Sequence, residues 1–262
     1  MESKVVISVI TIVKNDVYGI EKTIQSVIDQ DYQNIDYIVI DGNSTDGTVK
    51  LIEKYLRHIN YYVSEQDDGI YSAFNKGIMA SKGQLINILN SGDIFPSNRT
   101  VSNFVKFYLD NCSRVVYGKA MLLDSPVKFS KSEVGYRTLG GARLGTYAYN
   151  ICHQAMLYEK SIHSEIGLYD TNYKIAAEHK FTLESIYLLG IAPLFYPETV
   201  VHYRGGGVSA DPKHMYEYKK VDDLIVGRTI RHELLFFLRR VSNFHPFLKK
   251  IVRTVRNLLG TL

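Results

Sequence analysis

Gln84-Leu85-Ile86-Asn87-Ile88-Leu89-Asn90-Ser91-Gly92-Asp93 decides how this chain folds, because a mostly apolar run of strand length ends at an acid in a polar, glycine-containing turn. The run predicts a buried strand that stops at Asp93. A carboxylate at such a tip sits where open α/β sheets collect ligands, and it is a suitable oxygen donor for Mg2+ or Mn2+. Two earlier strands are punctuated in the same way. One runs from Ile35 to Asp41, the other from Asn60 to Glu65, with Asp67 and Asp68 just beyond.

Working outward from these acids, the first hundred residues alternate between two periods. Val5 to Val13 is an apolar, β-branched strand, and Tyr18 to Ile28 places Ile20, Ile24, Val27 and Ile28 at helical spacing. Strand Ile35 to Asp41 is followed by the turn Gly42-Asn43-Ser44-Thr45-Asp46-Gly47, whose Ser, Thr and Asp suit a helix cap, and by a short helix at Val49 to Leu56. Tyr61-Tyr62-Val63 is a third strand. Ile70 to Ala80 lines Ile70, Ala73, Phe74, Gly77 and Ile78 along one helix face before the strand that ends at Asp93. Four such βα units imply a mostly parallel sheet with helices on both faces, since parallel neighbours need crossovers.

The pattern loosens further on. A helix at Val101 to Leu109, a strand at Arg114 to Met121, a helix at Glu178 to Leu189 and a strand at Leu194 to Tyr203 are expected, with irregular, partly antiparallel structure over residues 122–150. Arg204-Gly205-Gly206-Gly207-Val208-Ser209 reads as a mobile loop.

Composition narrows the class. The chain has 262 residues, 45% of them hydrophobic, enough for one large core and a tail. Its apolar runs are of strand length, and no apolar signal stretch follows Met1-Glu2-Ser3-Lys4, so a cytoplasmic protein is expected. Cys112 and Cys152 lie far apart and suit reduced thiols.

Charge is divided unevenly. Residues 213–262 hold eleven Lys/Arg against four acids, a balance of +7 that leaves −3 for the rest of a chain whose total is +4. An acidic body argues against nucleic-acid binding, which needs positive charge around the groove. In the tail, Phe244, Phe247, Leu248, Ile251, Val252, Val255, Leu258 and Leu259 recur at helical steps with Lys249, Lys250, Arg253 and Arg256 mostly between them. Such a basic amphipathic helix suits either an anionic membrane surface or a protein face.

Three blocks carry a resemblance. Ile7-Ser8-Val9-Ile10-Thr11-Ile12-Val13-Lys14-Asn15, Val39-Ile40-Asp41-Gly42-Asn43-Ser44-Thr45-Asp46-Gly47-Thr48 and Leu89-Asn90-Ser91-Gly92-Asp93 resemble, in order and spacing, the signature blocks of family 2 glycosyltransferases with the GT-A fold. Ser64 to Gly77 further resembles the bacterial exopolysaccharide and colanic-acid branch. The likeness spans roughly residues 5 to 210. It implies a GT-A catalytic domain over 1–211, with its nucleotide-binding part at about 1–95 and its acceptor part at about 96–211, ahead of a helical basic tail at 212–262.

The resemblance also implies transfer of a sugar from a UDP- or GDP-sugar donor, with Mg2+ or Mn2+ on the diphosphate, to a glycan or lipid-linked acceptor hydroxyl. Such an enzyme would be inverting, serve bacterial surface polysaccharide synthesis and work at the inner face of the plasma membrane. By this likeness Asp93 meets the metal, Asp41 the nucleoside, and Thr11, Asp67 and Lys76 the donor rim. His202 and Arg204 would close over the diphosphate. His153 and Gln154 match a pair on the acceptor side. Glu178 is the candidate base, where relatives have Asp, with His179 as an alternative because imidazole titrates near neutral pH. Asn90 and Gly92 stand where the family carries acids, which leaves one carboxylate for the metal and keeps open an alternative, a nucleotide-sugar-binding subunit without turnover. A third class, the sugar nucleotidyltransferases, needs a glycine-rich phosphate loop that Thr11 to Asn15 does not supply.

Overall fold

The computed structural model describes residues 5–123, 151–205, 213 and 216–225. In chain order its main elements are β1 (Ile7–Val13), α1 (Val17–Ile28), β2 (Ile35–Asp41), α2 (Thr48–Glu53), β3 (Tyr61–Ser64), α3 (Ile70–Ala80), β4 (Leu85–Ile88) and α4 (Thr100–Asn111). They continue with β5 (Val115–Leu122), β6 (Met156–Glu159), α5 (Ile162–Ile166), α6 (Ala177–Tyr187) and β7 (Leu194–Tyr203).

The strands form one seven-stranded sheet in the order β3-β2-β1-β4-β6-β5-β7. Pairs β1–β2, β2–β3, β1–β4 and β5–β7 are parallel, and β6 alone runs against its neighbours. The βα alternation of the first half therefore builds the parallel half of the sheet, as the crossover argument requires. Because helices cover both faces, β1 and β2 are buried without alternation.

One face packs Ile10, Ile38, Ile86 and Ile88 against Phe74 and Ile78 of α3 and Phe181 of α6. The other packs Val9, Val39 and Leu85 against Ile20 and Ile24 of α1 and Phe104 of α4. Each such side chain stabilises the fold by about 1.5–3 kcal/mol. At Gly77 a Cβ would lie 2.3 Å from Ile10 Cγ2, so glycine lets α3 close onto β1.

One boundary differs from expectation. β4 stops at Ile88, five residues before Asp93. Beyond it the chain keeps two backbone bonds to β1, Leu89 N to Ile10 O (2.9 Å) and Ser91 N to Ile12 O (3.1 Å), and then turns at Gly92, whose φ is 90°. Residues 216–225 are helical, and Val221 and Ile225 sit in the α6 face of the core at 0% and 6% exposure. The irregular stretch 124–150, Gly206 to Ser209 and the amphipathic stretch 244–259 lie outside the described residues. No described helix is long and apolar enough to cross a membrane.

Candidate functional site

The carboxyl ends of the parallel strands gather the acids read from the sequence. Asp41 closes β2 beside Val13 of β1 and Ser64 of β3, and it is fully buried. Its Oδ2 accepts from Ser64 Oγ (2.6 Å) and Ser44 N (2.9 Å), while Oδ1 has no partner. A buried acceptor left unmatched is costly and calls for a donor from outside the chain. Asp67 lies over Gly42, where a Cβ would come 3.4 Å from its Oδ2. Lys76 of α3 bridges Asp67 at 2.7 Å and Glu65 at 2.6 Å. These two acids raise the lysine pKa, so its charge here ties the rim together rather than standing open to a phosphate. Thr11 is fully buried, its hydroxyl 3.3 Å from Tyr37 Oη in the core on the α1 face, so its side chain does not reach the rim.

On the other side of β1, the 89–93 loop is held by α1. Thr23 Oγ1 donates to Asp93 O at 2.8 Å and accepts from Gly92 N at 2.8 Å. Ile94 and His202 exchange backbone bonds of 2.9 Å, which brings the end of β7 against the loop. Asp93 is 2% exposed; its Oδ1 accepts from Arg204 N (2.8 Å) and its Oδ2 from Gln154 Nε2 (3.1 Å). Burial pushes its pKa up to about 6 against the opposing pull of those donors. The Arg204 guanidinium makes a fork onto Asp16, at 3.0 and 2.8 Å. Asp16 also caps α1 through Gly19 N and takes Ser91 Oγ at 2.7 Å. Burial raises the Asp16 pKa, but the Arg204 and Ser91 hydrogen bonds outweigh it and hold the carboxyl below its ordinary value. His202 is half-buried on β7.

Glu178 opens α6. Its Oε2 accepts from the Tyr71 hydroxyl of α3, and its Oε1 lies 3.9 Å from His153 Nδ1. Burial pushes its pKa up to about 7, with Tyr71 pulling the other way. His153 Nε2 is 3.2 Å from Asn90 Nδ2, and burial lowers the imidazole to about 4, so the ring is neutral at neutral pH. With the Asn90 amide as donor to Nε2, the ring proton is assigned to Nδ1, facing Glu178. His153 thus links the candidate base to the Asp93 loop, and the Asn90 Oδ1 is buried without a partner. His179 diverges from Glu178: its Nε2 contacts Asp222 Oδ1 at 2.8 Å and its ring lies 5.3 Å from that of Tyr218.

The structure therefore joins Asp41, Asp67 and Lys76 on one side of β1 and Asp93, Gln154, His202 and Arg204 on the other, with His153 leading to Glu178. Asp16, Tyr71 and Glu217 were not legible as site residues. Glu217 is 4% exposed and accepts from Lys174 N and Ile175 N, just ahead of α6. Tyr71 had one visible signal, its helical spacing with Phe74 and Ile78, but that pattern marks core as readily as site.

No three His, Cys, Asp or Glu side chains among the described residues form a metal cage. One carboxylate with an orphaned amide oxygen nearby in the loop is a hard, sparse donor set. It fits a divalent ion that draws its remaining oxygens from substrate phosphate and water. A cavity of about 660 Å³ lies against the outer face of α1, lined in part by Glu21, Gln25, Tyr55, Ile94 and Phe95.

A sequence model described as Glycosyl transferase family 2 matches residues 8–167. The chain is 33% identical over 195 residues to an uncharacterized glycosyltransferase of Mycobacterium tuberculosis, covering 71% of this chain and 70% of that protein. A PGL/p-HBAD biosynthesis glycosyltransferase of Mycobacterium bovis is 23% identical over 164 residues, 61% of each chain. Among solved structures, Staphylococcus aureus TarS in complex with UDP superposes with a TM-score of 0.67 at 18% identity over 84% of this chain. The Pyrobaculum calidifontis mannosyltransferase PcManGT in complex with GDP-Man and Mn2+ does so with 0.59 at 14% over 89%. This chain spans 65% of the length of each of those two solved chains.

Proposed function

We propose, from the fact that this chain belongs to glycosyltransferase family 2 and has the GT-A fold, that it moves a sugar from a nucleoside diphosphate onto an acceptor hydroxyl. The observation that carries this is the arrangement of Asp41 and Asp93 on either side of the end of β1, with His153 standing between Glu178, 3.9 Å from its Nδ1, and Asn90 of the Asp93 loop. The bound UDP, UDP-GlcNAc or GDP-Man of the solved neighbours supports a UDP- or GDP-sugar donor here.

In this mechanism the unmatched Asp41 Oδ1 accepts from a base N–H or ribose O–H of the donor, with Asp67 beside it. Asp93 stands at the diphosphate, where it would hold Mg2+ or Mn2+; the ion's chemistry is to neutralise charge growing on the leaving diphosphate. Glu178, with a pKa near 7, takes the acceptor hydroxyl proton as the new C–O bond forms and the bond to phosphate breaks. One-step displacement of this kind inverts the anomeric centre. Gln154 and His153 border the acceptor side. Lys76 serves the rim through its two acids, and His202 and Arg204 supply a closing edge once donor releases the guanidinium from Asp16.

The acceptor we propose is a bacterial surface glycan or its lipid-linked precursor, with a hexose as the sugar and the inner face of the plasma membrane as the place of work. A relative named for PGL/p-HBAD biosynthesis supports a cell-envelope acceptor. The test is release of UDP or GDP from a panel of sugar nucleotides, with and without Mn2+ or Mg2+. Glu178→Gln should lower kcat by about 10²- to 10⁴-fold with donor KM unchanged. Donor binding without any release in the native chain would favour the binding-subunit alternative, and full turnover in Glu178→Gln would remove this residue from the chemistry.

A further inference from the structure

We infer that Tyr71 is a positioning residue: its hydroxyl holds one oxygen of the Glu178 carboxylate and so aims the other at the acceptor. This rests on Glu178 as the base.

The geometry is asymmetric in a useful way. Oε2 accepts from Tyr71, whereas Oε1 is 3.9 Å from His153 Nδ1, too far for a hydrogen bond. One oxygen is therefore restrained and the other is left able to take a proton. Tyr71 is itself held fast. It is 2% exposed, with its ring edge-on to Phe74 at 5.8 Å and tilted against Tyr169 at 5.9 Å. Burial first, and then the neighbouring carboxylate, raise the phenol pKa, so it remains a donor throughout the working range.

The two residues occupy equivalent places, each second in its helix, Tyr71 in α3 and Glu178 in α6. Two first turns whose residues lie 107 positions apart in sequence thus meet at one hydrogen bond. α3 also carries Lys76, one and a half turns on, which grips Asp67 and Glu65 at the donor rim. A single helix therefore touches both the donor rim and the base. A carboxylate free to rotate would lose much of its in-line approach, and a misplacement of about 1 Å costs about a hundredfold in rate.

The experiment compares Tyr71→Phe, Glu178→Gln and the double variant. Tyr71→Phe keeps the ring contacts and removes only the donor. It should lower kcat by about tenfold to a hundredfold, with donor KM changed by less than about twofold. It should also move the acid limb of the kcat profile upward by about one pH unit, because a hydrogen bond to the charged form has been lost. The groups facing Glu178 in that titration are Tyr71 from α3, His153, Tyr169 before α6, and Glu217 and Tyr218 from the 216–225 helix, and Glu217 continues to repel the charged form. The double variant should be no slower than Glu178→Gln alone, because Tyr71 acts through that carboxylate.

Native kcat with an unmoved acid limb in Tyr71→Phe, beside a slow Glu178→Gln, would overturn the role of Tyr71 and leave the base in place. Losses that multiply in the double variant would overturn it too, since they put the effect of Tyr71 elsewhere. Full turnover in Glu178→Gln would remove the base, and this inference with it.

Discussion

Four buried side chains titrate against one another. His153 and His163 are each lowered to about 4, chiefly by burial, so the unfolded chain takes up their protons first and stability falls as pH drops from about 6.5 towards 4. Asp93 and Glu178 are raised by burial to about 6 and about 7, so the folded chain keeps their protons longer and stability falls as pH rises from about 4 through those values. The opposed slopes offset each other between about pH 4.5 and 6. Glu178→Gln removes one of the two acids. We expect it to exceed the native chain in stability by on the order of 3 kcal/mol at pH 7.5 and to match it near pH 4, read from urea midpoints in EDTA. An equal difference at both pH values would show that the Glu178 carboxyl is not perturbed when folded. At this scale the sequence shows which acids stand at strand tips, and that is how Asp41 and Asp93 were found, whereas Glu178 came from the family likeness. It cannot show partners far apart in the chain. Tyr71 reads as one more apolar residue on a helix face, and the tie from His179 to Asp222 has no local pattern.

Elements whose period repeats were legible to within a few residues, as α3 at Ile70–Ala80 and β7 at Leu194–Tyr203 show. β6, at four residues, and α5, at five, are too short for any period to declare itself, and β6 enters mid-sheet antiparallel to both neighbours. The helix at 216–225 falls in the stretch read as a helical basic tail. It nevertheless braces α6: Glu217 takes three hydrogen bonds of 2.8–3.0 Å from Lys174 N and Ile175 N, and Asp222 holds His179. Removing Glu217 strands two N–H groups beside Glu178. Glu217→Ala should cost about 2–3 kcal/mol in a denaturant titration and lower kcat together with stability. An unchanged midpoint would mean that another group caps those N–H donors.

For the whole molecule, the parallel half of the sheet was foreseen and the ring of contacts around the base was not, because the first is local in sequence and the second joins Tyr71, His153, Glu178 and Glu217. The sequence also carries a basic stretch beyond Asn243. On the proposal that it meets an anionic membrane, the full chain should co-sediment with phosphatidylglycerol-rich vesicles and a chain ending at Asn243 should stay in the supernatant; equal soluble fractions would dismiss the anchor. The grip on Asp93 carries a different lesson. It comes from the peptide nitrogen of residue 204, not from the guanidinium, which is occupied with Asp16. The backbone tether is thereby separate from the side chain's own bond to Asp16: nineteen of the twenty standard residues carry that amide hydrogen, and proline alone lacks it.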